Sequence, residues 1–227
     1  MMAQPSDAPV FIPVSVIGPQ FISPFPLEVI VDTYSCGNLV ITDTNHKIML
    51  KVKPYSTNFH HQLLLLDADD RPIVTLRKKN MSGHDGWNVF RGDSKADPDM
   101  IFSTKTPHMI QFKETNVNVF MANKMSSKNG CDFNIKGSWA KRKCTVCVGD
   151  SSTTVAQVIF MHELQPMDNV KFSEDKFMVT IYPNVDYAFV VTLIAIVYAM
   201  ESSEIKDVVA KEVAGIVAEA VVGAVLL

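Results

Sequence analysis

The side chains able to do chemistry fall into four groups. Cys144 and Cys147 have the spacing of a zinc or thiol-exchange pair. The segment around them reads as a strand, where residues i and i+3 point to opposite faces, and no second pair completes a four-ligand set, so reduced, buried thiols are expected. His60 and His61 are adjacent and diverge for the same reason, while His46, His84, His108 and His162 show no ligand spacing. Asp67, Asp69 and Asp70 open like a calcium loop. A twelve-residue EF-hand loop needs Gly at its sixth position and Glu at its twelfth, where this chain has Pro72 and Lys78, so a hairpin turn is the reading. No metal or cofactor is expected. No nucleophile elbow, phosphate-binding loop or paired-carboxylate pattern occurs, which leaves catalysis without an anchor and points to a protein that is not an enzyme.

The fourth group is basic. Arg77, Lys78 and Lys79 form one run and Lys141, Arg142 and Lys143 another, both at strand or hairpin ends. Their chemistry is the capture of an anion, and an anionic phospholipid headgroup is the leading ligand; a solvated surface that keeps the protein soluble is the plain alternative. Each Lys or Arg near an anionic leaflet adds about 1 kcal/mol, so one trio supplies about 3, short of the roughly 4 of a millimolar dissociation constant. Both trios on one face, or a preformed pocket, are therefore required. Aromatic residues do not interleave with the basic runs as a stacking platform needs, so a nucleic-acid partner is not expected.

The net charge of -3 over 227 residues hides this pattern. Residues 1 to 46 carry four acids and no Lys or Arg; residues 47 to 143 carry 17 basic and 9 acidic residues; residues 144 to 227 carry 4 and 11. A basic middle thus lies between two acidic ends. With 47% hydrophobic and 20% charged residues the chain can bury a core, which excludes collagenous, coiled-coil and disordered classes. The first basic residue is Lys47, so neither a secretory signal nor a transit peptide is indicated and a cytoplasmic protein is expected.

These residues must be positioned by elements of two kinds. Residues 1 to 26 hold six of the twelve prolines and read as an arm, mobile unless Val10, Phe11, Ile12 and Phe21 pack on the surface. From about residue 36, short runs of Val, Ile, Leu, Phe and Thr alternate with Asp, Asn and Gly about every ten residues, giving about a dozen antiparallel strands. Further strands are placed at 85 to 91, 100 to 106, 116 to 121, 132 to 138, 143 to 149, 153 to 161 and 176 to 182. One unit repeats: Leu39 to Lys47 and Leu63 to Arg71 align at an offset of 24, each followed by a second strand, and both read as hairpins turned by Asp or Asn.

Between Asp186 and Glu201 the 14 residues Tyr187 to Met200 carry no charge. As a helix they span roughly 21 Å, short of the roughly 30 Å of a bilayer core, so a helix enclosed by the strands is expected rather than a transmembrane one. A closed sheet of about twelve strands is wide enough to hold it. Residues 201 to 227 read as a further helix forming a tail, whose five acids against two lysines disfavour docking on anionic lipid.

Four segments then carry a resemblance. Gly37-Asn38-Leu39-Val40-Ile41-Thr42-Asp43, His84-Asp85-Gly86-Trp87-Asn88-Val89-Phe90-Arg91-Gly92, Cys131-Asp132-Phe133-Asn134-Ile135-Lys136-Gly137-Ser138-Trp139 and Tyr182-Pro183-Asn184-Val185-Asp186-Tyr187-Ala188-Phe189 resemble the plant LURP-one-related proteins over roughly residues 27 to 200. The resemblance implies a Tubby-like fold, a twelve-stranded barrel around a hydrophobic C-terminal helix, and kinship with phospholipid scramblases and Tubby-type membrane-tethered transcription regulators. Some members are linked to basal defence. The combined expectation is a barrel at 27–200 acting as a non-enzymatic binding or membrane-tethering module for anionic phospholipid or phosphoinositide, peripheral at the plasma membrane or nuclear. The alternative is a protein-interaction scaffold in plant defence signalling.

Overall fold

The computed structural model describes residues 13–34, 37–55, 62–79, 86–106, 115–123, 130–149, 151–160 and 176–201. Alternation of apolar and polar residues gives fourteen strands: β1 (Ile22–Ser23), β2 (Leu27–Thr33), β3 (Leu39–Asp43), β4 (Ile48–Pro54), β5 (Gln62–Asp67), β6 (Pro72–Lys78) and β7 (Trp87–Arg91), then β8 (Met100–Lys105), β9 (Thr115–Met121), β10 (Phe133–Ser138), β11 (Lys143–Val148), β12 (Thr154–Phe160), β13 (Lys176–Ile181) and β14 (Val185–Asp186). Strands β2 to β13 each pair antiparallel with the next, and β13 pairs with β2, so the sheet closes into a twelve-stranded up-and-down barrel. At about 4.8 Å between strands and a tilt of about 40°, such a barrel is roughly 24 Å across. One expected element was missing from the strand pattern: β2 follows directly on the prolines and supplies the closing strand.

Helix α1 occupies 187–201 and runs down the barrel axis. Ala188, Phe189, Val190, Val191, Leu193 and Ile196 are completely buried. Phe189 meets Phe102 at 5.4 Å edge-on and Phe133 at 4.9 Å, locking the helix to β8 and β10. The buried Thr192 hydroxyl donates to Ala188 O at 2.7 Å, so no polar group is stranded by the all-apolar surroundings. Among the described residues no helix is long and apolar enough to cross a membrane.

The offset-24 repeat is reproduced in backbone detail. In the first hairpin Asp43 Oδ1 accepts the N–H groups of Asn45 and Lys47, and in the second Asp67 Oδ1 accepts those of Asp69 and Arg71, all at 2.9 Å. His46 and Asp70 occupy the matching left-handed positions, φ 63° and 64°, and bulges fall at the matching places, Ile41/Thr42 and Leu65/Leu66. In the first hairpin the left-handed residue is thus His46, not Asn45.

Residues 13–26 of the arm pack against the barrel, Phe21 among them; Val10, Phe11 and Ile12 lie outside the described residues, as does the tail from 202. Strand β1 pairs with β14, and Val14 N–H donates to Asn184 O while Asp186 N–H donates to Val14 O. Ile17 is buried in the core, and Phe21 meets Tyr187 edge-on at 5.5 Å. The arm therefore lies across the mouth where α1 begins.

Candidate functional site

The meander gives the barrel two distinct ends. Connections β3–β4, β5–β6, β7–β8, β9–β10 and β11–β12, together with the start of α1, share the arm end; connections β2–β3, β4–β5, β6–β7, β8–β9, β10–β11 and β12–β13 share the other. Helix α1 reaches this second end, where Thr115 Oγ1 at the start of β9 donates to Glu201 Oε1 at 3.4 Å.

Charge divides between the ends. At the second end, Arg77, Lys78 and Lys79 leave β6, Lys105 ends β8, Lys136, Lys141, Arg142 and Lys143 flank the β10–β11 turn, and Lys176 opens β13. Among the described residues the only acids there are Asp32, paired with Lys176 at 2.7 Å, and Glu201. The arm end holds the other ten described acids, and these are largely consumed internally. Asp67 pairs with Arg71 at 2.7 Å, and Asp70 takes Lys53 at 2.7 Å and Lys51 at 2.9 Å, which draws these two lysines of the basic middle away from the basic end. The Arg71 backbone N–H holds the Asp67 carboxyl below its ordinary value, and the Lys53 and Lys51 hydrogen bonds do the same for Asp70.

Asp186 is the most heavily bonded of these acids. It is completely buried; Oδ1 caps α1 by accepting Phe189 N–H at 3.0 Å, and Oδ2 accepts the N–H groups of Val16, Ile17 and Gly18 at 3.1, 2.7 and 3.0 Å. This carboxylate joins helix start and arm into one unit.

The two basic trios share an end but not a patch. Strands β6 and β11 lie five positions apart around the ring of twelve, so the trios face each other across roughly 20 Å and no single headgroup spans both outer faces. Within the first trio, Leu76 packs in the core, so Arg77 and Lys79 point outward and Lys78, opposite Trp87, points to the mouth. Within the second, Arg142 sits at φ 50° with its guanidinium 4.6 Å over Trp139 and 5.1 Å over Phe177, an anchoring role, while Lys141 and Lys143 are exposed. Gly137 is required where β10 enters that turn, since at φ 134° a Cβ would run into Lys143 O.

Residues 30–198 match the LURP-one-related family profile, most of the barrel and its helix. The chain belongs to the LURP-one-related family. Similar proteins include LURP-one-related 15 of Arabidopsis thaliana, 40% identical over 185 residues that make up 80% of this chain and 83% of that protein. Protein LURP1 of the same plant is 37% identical over 195 residues, 84% and 92% of the two chains. The X-ray structure of another Arabidopsis thaliana protein matches with a TM-score of 0.64 and 33% identity, covering 82% of this chain and 98% of that one. The barrel around a C-terminal helix is the Tubby-like architecture that LURP-one-related membership implies.

In this LURP-one-related barrel the cysteine pair is split as strand geometry requires. Cys144 faces the core and Cys147 the outer face, and among the described residues no cluster of His, Cys, Asp and Glu could hold a metal. Burial pushes the Cys144 thiol up to about 11, against a smaller lowering by the Thr115 hydrogen bond, which makes it a poor nucleophile. His60, His61, His84, His108 and His162 lie outside the described residues.

Proposed function

We propose that this protein is a non-enzymatic module that docks, basic end first, on an anionic phospholipid surface, as a peripheral protein at the cytoplasmic face of the plasma membrane. The observation that carries the reading is the division of charge: nine basic residues against two acids at one end of the described barrel. The field of that end alone is modest. Segments 80–85, 107–114 and 161–175, outside the described residues, carry six acids (Asp85, Glu114, Glu163, Asp168, Glu174 and Asp175) against Lys113 and Lys171 in sequence, so the net charge of both sets together is about +3. At about 1 kcal/mol per charge this supplies about 3, below the roughly 4 of a millimolar constant. Field steering therefore orients the barrel, and a built site with directed bonds must supply the rest of the affinity.

Co-sedimentation with phosphatidylcholine vesicles, with and without anionic lipid and at low and physiological salt, tests the reading. Binding that requires anionic lipid and weakens with salt is expected, because exposed charges are screened within about 8 Å at 0.15 M. Absent or salt-insensitive binding overturns it. The scaffold reading in defence signalling draws on the arm and tail, and the described part of the arm is engaged with the barrel itself.

A further inference from the structure

We propose that the outer face of β6, β7 and β8 at the basic end is a site for a phosphate-bearing, hydroxyl-rich headgroup, with Lys79 and Lys105 on either side of Gly86. This rests on the phospholipid reading and narrows it to one patch. Register places Lys78 opposite Trp87 and Asn88 opposite both Arg77 and Ser103, so one step toward the rim Lys79, Gly86 and Lys105 form a single cross-strand row. The Lys79 N–H donates to Gly86 O at 2.8 Å and extends the ladder to that row. Phe102 faces Phe189 in the core, so Ser103 and Lys105 face outward, as Arg77 and Lys79 do.

Gly86 is buried beneath this row. A Cβ there would stand 2.6 Å from Thr104 O and 3.4 Å from Lys79 Cδ, so the lysine stem lies over the glycine where a side chain would have been. The strands of the two lysines are two spacings, roughly 10 Å, apart, and long flexible side chains on either side of that gap converge on one anion. Among the described residues neither ammonium has a carboxylate partner; Lys105 rests 5.3 Å from the Phe120 ring centroid. Burial first, and the charge of Lys105 second, hold half-buried Lys79 below the ordinary lysine range. An anion between them relieves both effects.

A second, independent observation lies in the neighbouring carboxamides. In the next row of the same face, between Arg77 and Ser103, Asn88 Oδ1 is buried without a hydrogen-bond partner. Along the first row, Lys105 is followed by Asn118, half-buried on β9. Native interiors pair such groups, so an unpartnered amide oxygen beside these lysines marks a place for a ligand with hydroxyls as well as phosphate. A phosphorylated polyol has that chemistry, either as a lipid headgroup or free in solution.

The test uses the full chain with two probes: phosphatidylcholine vesicles containing phosphatidylinositol bisphosphate, and soluble inositol trisphosphate. The double variant Lys79→Gln/Lys105→Gln should weaken binding by about tenfold or more, and Lys141→Gln/Lys143→Gln by less than about threefold. Asn88→Asp should weaken binding while raising the melting temperature, because a carboxylate there neutralises the lysine pair; a folding defect moves both in the same direction. Binding unchanged in Lys79→Gln/Lys105→Gln or in Asn88→Asp, or lost equally in the two double variants, overturns the patch and leaves the phospholipid reading standing. Lys79- and Lys105-dependent binding of the soluble probe without vesicle binding keeps the patch and overturns the membrane reading. No binding of either probe by the unaltered chain overturns both.

Discussion

The two ends of the barrel treat charge in opposite ways. At the arm end the acids are satisfied locally: Asp43 and Asp67 tie their own hairpins, Asp70 gathers two lysines, and Asp186 takes four backbone N–H groups, three of them from a segment some 170 residues away. At the basic end Lys79, Lys105, Lys136 and Lys141 have no carboxylate partner among the described residues. Self-satisfied charges stabilise a fold, whereas unpartnered like charges weaken it slightly and are available to something else. Mutations at the first end should therefore show in stability, and mutations at the second in binding.

The largest effect is expected at Asp186. Asp186→Ala leaves four N–H groups without an acceptor, three of them contributed by the arm, and should cost about 3 kcal/mol or more, read as a lower urea midpoint. Stability equal to the unaltered chain would break the comparison at its strongest point. Next comes Cys144, whose folded thiol sits at about 11 against an ordinary 9.0. The folded state keeps its proton while the unfolded chain loses it, so stability present below pH 9 should fall by about 2 kcal/mol as pH rises toward 11. Cys144→Ala should flatten that decline in urea titrations, and an unchanged pH profile would show that the thiol is not the cause.

A smaller effect concerns the hairpins. The Asp67 carboxyl is held below the usual 3.8 first by the Arg71 backbone N–H, so its contribution is present above that value and lost as pH falls through the lowered one. Protection factors of the Asp69 and Arg71 amides, taken against the intrinsic exchange rate at each pH, should fall only in that acid window, and loss of protection near neutrality would contradict the assignment. The smallest is Lys141→Gln, which should alter stability by less than about 0.5 kcal/mol in the same urea assay, since the side chain is exposed and unpaired. A larger loss would mean that the basic end also holds the fold together.

What could be read from the residues alone follows the range of the interactions. The hairpin repeat is local, and its offset of 24 carried through to φ angles and bulges. The helix was legible because a run that is apolar all round has to be enclosed. Strand β2 was obscured by the prolines before it, and its partner β13 lies some 150 residues away, beyond any local pattern. Asp186 stood inside a quoted segment, yet three of its partners are backbone groups 168 to 170 residues distant, which no side-chain pattern announces. The trios were visible as runs, but pleat and register decide the surface: Lys78 and Arg142 turn to the mouth and to aromatic rings, while Lys79 gains Lys105, 26 positions on, because Gly86 lies between them.

The most direct test of the division between ends is amide hydrogen exchange of the full chain with and without vesicles containing phosphatidylinositol bisphosphate. The account predicts added protection at the basic end, around residues 77–79, 86–88, 103–106 and 139–143, with the hairpin turns at 44–47 and 68–71 unchanged. Protection confined to those hairpin turns, or spread evenly over both ends, would contradict it.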